Sequence, residues 1–187
     1  SFFFTFFISI FLLPTLYECH MLSKKKSYYI YGFIFILISF YSVFLLRNYD
    51  RYTNIQDPGL TFFLIVTLIC VFTDLGGYIF GKIFKGPKLT KISPNKTFSG
   101  MIGGYLLSLV FLSIFMGWIN STVNEKWFIV TILISTVSQI GDITVSYFKR
   151  LSKIKDTGKI IPGHGGLLDR IDGMIFVFPF CYLITMI

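Results

Sequence analysis

"LIVTLICVFTDLGGYIFG", residues 64–81, holds one charged side chain in eighteen positions. As an α-helix rising 1.5 Å per residue it is about 27 Å long, close to the roughly 30 Å of hydrocarbon in a bilayer. Apolar runs of comparable length occupy about 1–17, 27–47, 60–81, 100–118 and 127–148, and a sixth begins near Leu167 and runs to the end. The 187 residues are 54% hydrophobic and only 14% charged, with a mean hydropathy of +0.72. An average soluble domain carries about 25% charge. Backbone amides cannot stay unpaired in hydrocarbon, so these runs must be helices. The expected fold is all-α, a polytopic transmembrane bundle of about six spans. Ser1 already lies inside the first run with no basic residue before it. That run does not read as a signal peptide, and an N-terminally truncated start is expected.

The net charge of +8 is unevenly distributed. Fourteen of the 17 basic residues fall on alternate connections: Lys24–Lys26, the stretch from Lys82 to Lys96, and the stretch from Lys149 to Arg170. Arg47, Arg51 and Lys126 are left for the other side. The positive-inside rule then puts the three basic connections in the cytoplasm. Topology and contact with anionic headgroups account for Lys24–Lys26. The other two clusters border acids, which topology does not explain. Cys19, Cys70 and Cys181 show no ligand spacing and read as ordinary apolar or interfacial thiols.

Asp74 lies in the quoted segment and Asp142 in "FIVTILISTVSQIGDITVSYF", residues 128–148. A carboxylate in a span costs roughly 2.5 to 3.5 kcal/mol at the bilayer centre, so such residues are functional by default. Eight residues separate Asp74 from Lys82 and seven separate Asp142 from Lys149. Each acid therefore sits about 10 to 12 Å below its cytoplasmic helix end, beneath a basic loop. Gly76, Gly77 and Gly81, like Ser138 and Gly141, also permit close helix packing. Asp169 and Asp172 share a helix face at a spacing of three, just after the glycine-rich turn from Pro162 to Gly166.

Carboxylates converging among Lys and Arg suit a hard divalent cation, foremost Mg²⁺, which binds through a few carboxylates, water and substrate phosphates. No His and Cys set suits zinc. Gly163, Gly165 and Gly166 are read as letting backbone N–H groups face a phosphate. Together these features predict phosphoryl or nucleotidyl transfer on a lipid. The boundary is set at 59, with N-terminal transmembrane helices in 1–59 and a catalytic region in 60–187 that carries loops 82–99 and 149–166.

The stretch "SYFKRLSKIKDTGKIIPGHGGLLDRID", residues 146–172, resembles the signature of the phosphatidate cytidylyltransferase family without a break. Upstream, "DLGGYIFGKIFKGPKLTKISPNKTFSG", residues 74–100, is similar to that family's second motif region. Two departures stand out there: Ser99 replaces the usual Glu and Asn95 a common second Lys. The resemblance implies condensation of CTP with phosphatidic acid to CDP-diacylglycerol and pyrophosphate, at the cytoplasmic face of the cell's inner membrane. It associates Asp142 and Asp169 with a metal centre, Mg²⁺ alone or with a second metal ion, and the reading adds Asp172 and Asp156 as supports. Asp142, Asp169, Lys149 and Arg150 are the expected catalytic set. Asp74, Ser93, Lys96, Ser146, Lys155, His164, Gly165, Gly166 and Arg170 are expected to bind substrate. The expected partners are CTP, phosphatidic acid, membrane lipids and, by family analogy, a second copy in a homodimer, with no nucleic acid. A CTP-dependent polyprenol kinase is the nearest rival, and an ion-conducting or transport protein is the rival of a different class.

Overall fold

The computed structural model describes residues 2–23, 29–48, 57–90, 92–93, 95–118, 125–158, 160 and 165–186. It is all-α among these residues. The helices are α1 (Phe2–Ser23), α2 (Tyr29–Arg47), α3 (Pro58–Phe84), α4 (Phe98–Trp118), α5 (Glu125–Leu151), the single turn α6 (Leu168–Ile171) and α7 (Met174–Met186). Helices α1 to α5 are each long and apolar enough to cross a membrane. The expected sixth span differs: among the described residues it is the 13-residue α7. Asp172 and Gly173 separate it from α6, because the acid pair and its glycine form a turn where an unbroken apolar run would continue the helix. The protein is thus a multi-pass integral membrane protein.

Apolar side chains gain little by leaving lipid for a lipid-like interior, so close contact and buried hydrogen bonds hold such helices together. The closest pair is α3 with α4. Gly76, Gly77 and Gly81 on α3 face Gly100, Gly103 and Gly104 on α4, and a Cβ at Gly76 would strike the Gly103 carbonyl. We expect Gly76→Val to wedge the pair apart at a cost of about 1 to 3 kcal/mol. Heating the detergent-solubilised variant and following the monodisperse fraction should give a lower midpoint than the parent's; an unchanged midpoint would mean that the seam adapts freely.

A chain of hydroxyls ties α5 to this pair. Thr73 Oγ1 lies 2.8 Å from Ser135 Oγ, which lies 2.9 Å from Ser108 Oγ. Each is fully buried, and each bond joins a different pair of helices. Asp74 follows Thr73, and Asp142 lies two turns beyond Ser135, so this chain sets the separation of α3 and α5 where the acids sit. Below it, Val66, Ile69, Cys70, Leu112, Ile134 and Val177 form the core. All three cysteines are buried and none is in a disulfide. On the far side of the bundle, Arg47 makes a paired contact with Asp57 at 2.5 and 2.6 Å, and Asp57 also caps α3 by accepting from Leu60 N–H at 3.4 Å.

Helix α2 packs on α7, and α1 packs on both α2 and α6.

Candidate active site

Helices α3 and α5 extend two to three residues beyond their expected ends, so Asp74 and Asp142 lie at matching depth, ten and nine residues before the final residues Phe84 and Leu151. Between α3 and α4 the chain doubles back. Leu89 N–H donates to Lys96 C=O at 2.7 Å and Phe98 N–H to Pro87 C=O at 3.0 Å. Ser99, at the position where an acid is usual in the resembling family, closes the base of this hairpin. Its Oγ accepts from Gly86 N–H at 3.2 Å and meets Thr97 Oγ1 at 3.0 Å. The fold-back carries Lys96 down to Asp142, with which it forms an ion pair.

The result is a cavity of about 380 Å³ whose walls include Asp74, Ser93, Lys96, Asp142, Lys149, Asp169, Arg170 and Asp172. Eight expected site residues from four separate stretches of sequence thus meet around one space. Asp142 and Asp172 both line this cavity, near enough for the charge of one to bear on the other. Burial first, then the neighbouring charges of Asp142 and Asp74, push the Asp172 carboxyl well above the usual carboxylate range. Like charges this close need a proton or a cation between them.

Asp169 has a different environment. Its Oδ1 accepts from Lys149 Nζ at 2.9 Å, and its Oδ2 accepts from Thr157 N–H at 2.9 Å and Gly166 N–H at 3.0 Å. Burial alone would raise its pKa, but the Lys149 hydrogen bond and the two N–H groups outweigh it and hold the carboxyl below its ordinary value. The carboxylate brought against Asp142 is therefore Asp172, while Asp169 is turned towards Lys149 and the loop backbone.

Among the described residues, the remaining expected ones do not line the cavity. Arg150 is exposed and donates to Ile154 C=O at 3.3 Å; Lys155 and Asp156 are exposed in the following loop. Ser146 is buried and donates to Asp142 Oδ1 at 3.4 Å, a long bond. His164, Pro162 and Gly163 lie outside the described residues. Gly165 and Gly166 serve the loop's own geometry. Gly165 has φ of +84°, which an alanine would adopt only with strain, and a Cβ on Gly166 would strike Thr157 Oγ1 and the Glu18 carboxylate. The Gly166 N–H faces Asp169 rather than open space.

Two residues missed in the sequence belong to this region. Gln139 lines the cavity, one turn before Asp142, with its Nε2 buried and without a hydrogen-bond partner. Glu18 of α1 accepts from Thr157 Oγ1, Leu167 N–H and Leu168 N–H at 3.0, 2.9 and 2.7 Å. Both carry a signal that sequence reading can use: a strongly polar side chain inside or beside an apolar run.

Among the described residues no three His, Cys, Asp or Glu side chains are close enough to cage a cation. Mg²⁺ does not require a cage, since it takes one or two carboxylates and fills its shell with water and phosphate oxygens. Asp142 and Asp172, neighbouring carboxyls of the cavity that Asp74 also lines, fit that demand.

A multi-pass membrane protein with carboxylates and lysines around a sunken polar cavity is the class that fold and site define. The chain belongs to the cytidylyltransferase family, whose model matches residues 1–187. It is 37% identical over 163 residues to a phosphatidate cytidylyltransferase of Staphylococcus saprophyticus, covering 85% of this chain and 61% of that relative. Identity to the phosphatidate cytidylyltransferase of Staphylococcus haemolyticus is 42% over 127 residues, 66% of this chain and 48% of the relative. For that of Bacillus subtilis it is 37% over 153 residues, 81% and 55%. The chain thus spans about half to three-fifths of the length of the relatives it matches.

Proposed function

We propose that the protein joins CTP to phosphatidic acid, giving CDP-diacylglycerol and pyrophosphate, and so serves phospholipid synthesis. The observation that carries this reading is the cavity in which Asp74, Asp142 and Asp172 face Lys96, Lys149 and Arg170, in a chain matched by the family along its whole length.

In this reaction a phosphatidate oxygen attacks the α-phosphorus of CTP, and the bond from that phosphorus to the pyrophosphate oxygen breaks. The nucleophile is already anionic, so no strong base is needed; positioning and charge neutralisation supply the catalysis. Lys149 and Arg170 would hold phosphate oxygens at one wall, and Lys96, now paired with Asp142, would turn to a phosphate as substrate enters. Asp142 and Asp172, with Asp169 beside them, would hold Mg²⁺, which when bound neutralises phosphate charge and polarises phosphorus. Ser93, Asn95 and Gln139 would offer neutral hydrogen-bonding groups to the nucleotide or the headgroup. The proposal includes the homodimer expected from the family resemblance.

The test is a membrane preparation carrying the protein, given labelled CTP and phosphatidic acid. CDP-lipid plus pyrophosphate supports the reading, whereas lipid phosphate plus CDP would make the protein a kinase. No metal-dependent product at all would leave the transport alternative.

The proposal also puts loops 82–99 and 149–166 in the cytoplasm of a cell whose inner membrane holds the protein. A cysteine at Asn124 should then react with an impermeant maleimide from outside intact cells, and one at the exposed Lys155 should react only in inverted vesicles. Background should be low because the native cysteines are buried. Labelling of Lys155→Cys from outside would reverse the topology and put the site on the wrong side for cytoplasmic CTP.

A further inference from the structure

We propose that Glu18, on the first helix, is a positioning residue for the reaction, holding Thr157 and the start of α6 so that Asp169 and Lys149 stand at the cavity wall. The inference rests on the cytidylyltransferase reading given above.

Glu18 is 1% exposed. Among the described residues no cation pairs with it, and three donors serve it instead. Oε1 accepts from Leu167 N–H, while Oε2 accepts from Thr157 Oγ1 and Leu168 N–H. Hydrogen bonds to an ionised acceptor are about twice as strong as neutral ones, which is what a buried carboxylate needs to remain there. The loop is shaped to admit it: a Cβ at Gly158 or at Gly166 would run into its carboxylate. The same helix holds the loop's other end, where Ser152 Oγ donates to Leu22 C=O at 2.7 Å.

The connection continues to the cavity through Thr157. Its hydroxyl donates to Glu18 and its own N–H donates to Asp169 Oδ2, while Asp169 Oδ1 receives Lys149. Glu18, Thr157, Asp169 and Lys149 therefore form one continuous chain from the first helix to the cavity wall. An apolar side chain at position 18 could fill the space, but it would leave three donors unpaired and the Thr157 backbone free to move.

Glu18→Gln is nearly isosteric and exposes the role. Whichever way its amide faces, an NH₂ group meets the N–H of Leu167 or of Leu168. In membranes carrying the full chain, kcat should fall about tenfold or more while KM for CTP changes less than about threefold, since nothing that faces CTP has been removed. Trypsin should cut faster at the exposed Lys153 and Lys155. Thr157→Val, which keeps the two backbone contacts to Glu18, should lower kcat in the same direction, and adding it to Glu18→Gln should cost little more. Parental kcat in Glu18→Gln would overturn the proposal. So would multiplicative losses in the double variant, or a loss of kcat with unchanged cleavage. Should Glu18→Gln fail to insert, Thr157→Val alone decides by the same readouts. A parent that makes no CDP-lipid would sink the functional reading instead, and the cleavage rates would still show whether Glu18 fixes the loop.

Discussion

Turnover of CTP falls by about a thousandfold or more when Asp142 is replaced by asparagine, roughly 4 kcal/mol of transition-state stabilisation. The side chain keeps its shape and its place on α5, so folding should be little affected. What is lost is one negative charge from a carboxyl pair, together with the partner of Lys96. If Asp142 and Asp172 hold one cation between them, Asp172→Asn should be about as damaging, and the double variant should be scarcely worse than either alone, because residues acting as a unit are non-additive. Binding gives a second readout. Asp142→Asn should weaken the Mg²⁺-dependent rise in thermal stability that the parent shows with CTP, since a ligand that binds only the folded state raises the midpoint. Losses that multiply, with an unchanged Mg²⁺ response, would separate the two carboxylates into independent roles.

The acids were legible for an energetic reason. Asp74 and Asp142 interrupt runs that the bilayer requires to be apolar, and the cost of putting them there marks them before any geometry is known. The same rule applied to Glu18 would have found it. It escaped because the first run was ended at 17, while α1 continues to Ser23 and buries the carboxylate completely. A boundary set six residues short of the helix end hid a residue with three hydrogen bonds. The pairing of carboxylates was not legible for a different reason. A spacing of three does keep Asp169 and Asp172 on one helical turn, since the backbone is right-handed helical from Leu167 through Asp172, but it does not say which partner each carboxyl finds. Asp172 meets Asp142 and Asp169 meets Lys149, partners that no local periodicity encodes. The glycines of residues 165–166 illustrate the same limit. Their pattern suggests a phosphate cradle, yet in the fold Gly166 makes room for Glu18 and Thr157 and supplies an N–H to Asp169, while Gly165 takes a positive φ beside Asp169 and Asp156.

Lys149→Met is expected to cost stability and activity by separable routes. Lys149 and Asp169 have side chains only 11% exposed, so methionine would leave a carboxylate facing the cavity wall without its ammonium. Breaking a buried pair by removing one partner costs on the order of 3 kcal/mol, mostly through the charge left behind. The Asp169 pKa is held below its ordinary value, so this contribution is present at neutral pH and is lost only as pH falls through that lowered value. The deficit of Lys149→Met should therefore stay constant from about pH 6 to 8. Adding Asp169→Asn removes the orphaned charge and lets the asparagine oxygen still accept from Thr157 and Gly166. The double variant should recover most of the lost thermal stability. Its turnover should nevertheless stay at least about a hundredfold below the parent's, because the ammonium that meets a phosphate in the transition state is still missing. If turnover returned together with stability, Lys149 and Asp169 would be a structural staple, and the phosphate-binding charge would have to come from Lys96 and Arg170 alone.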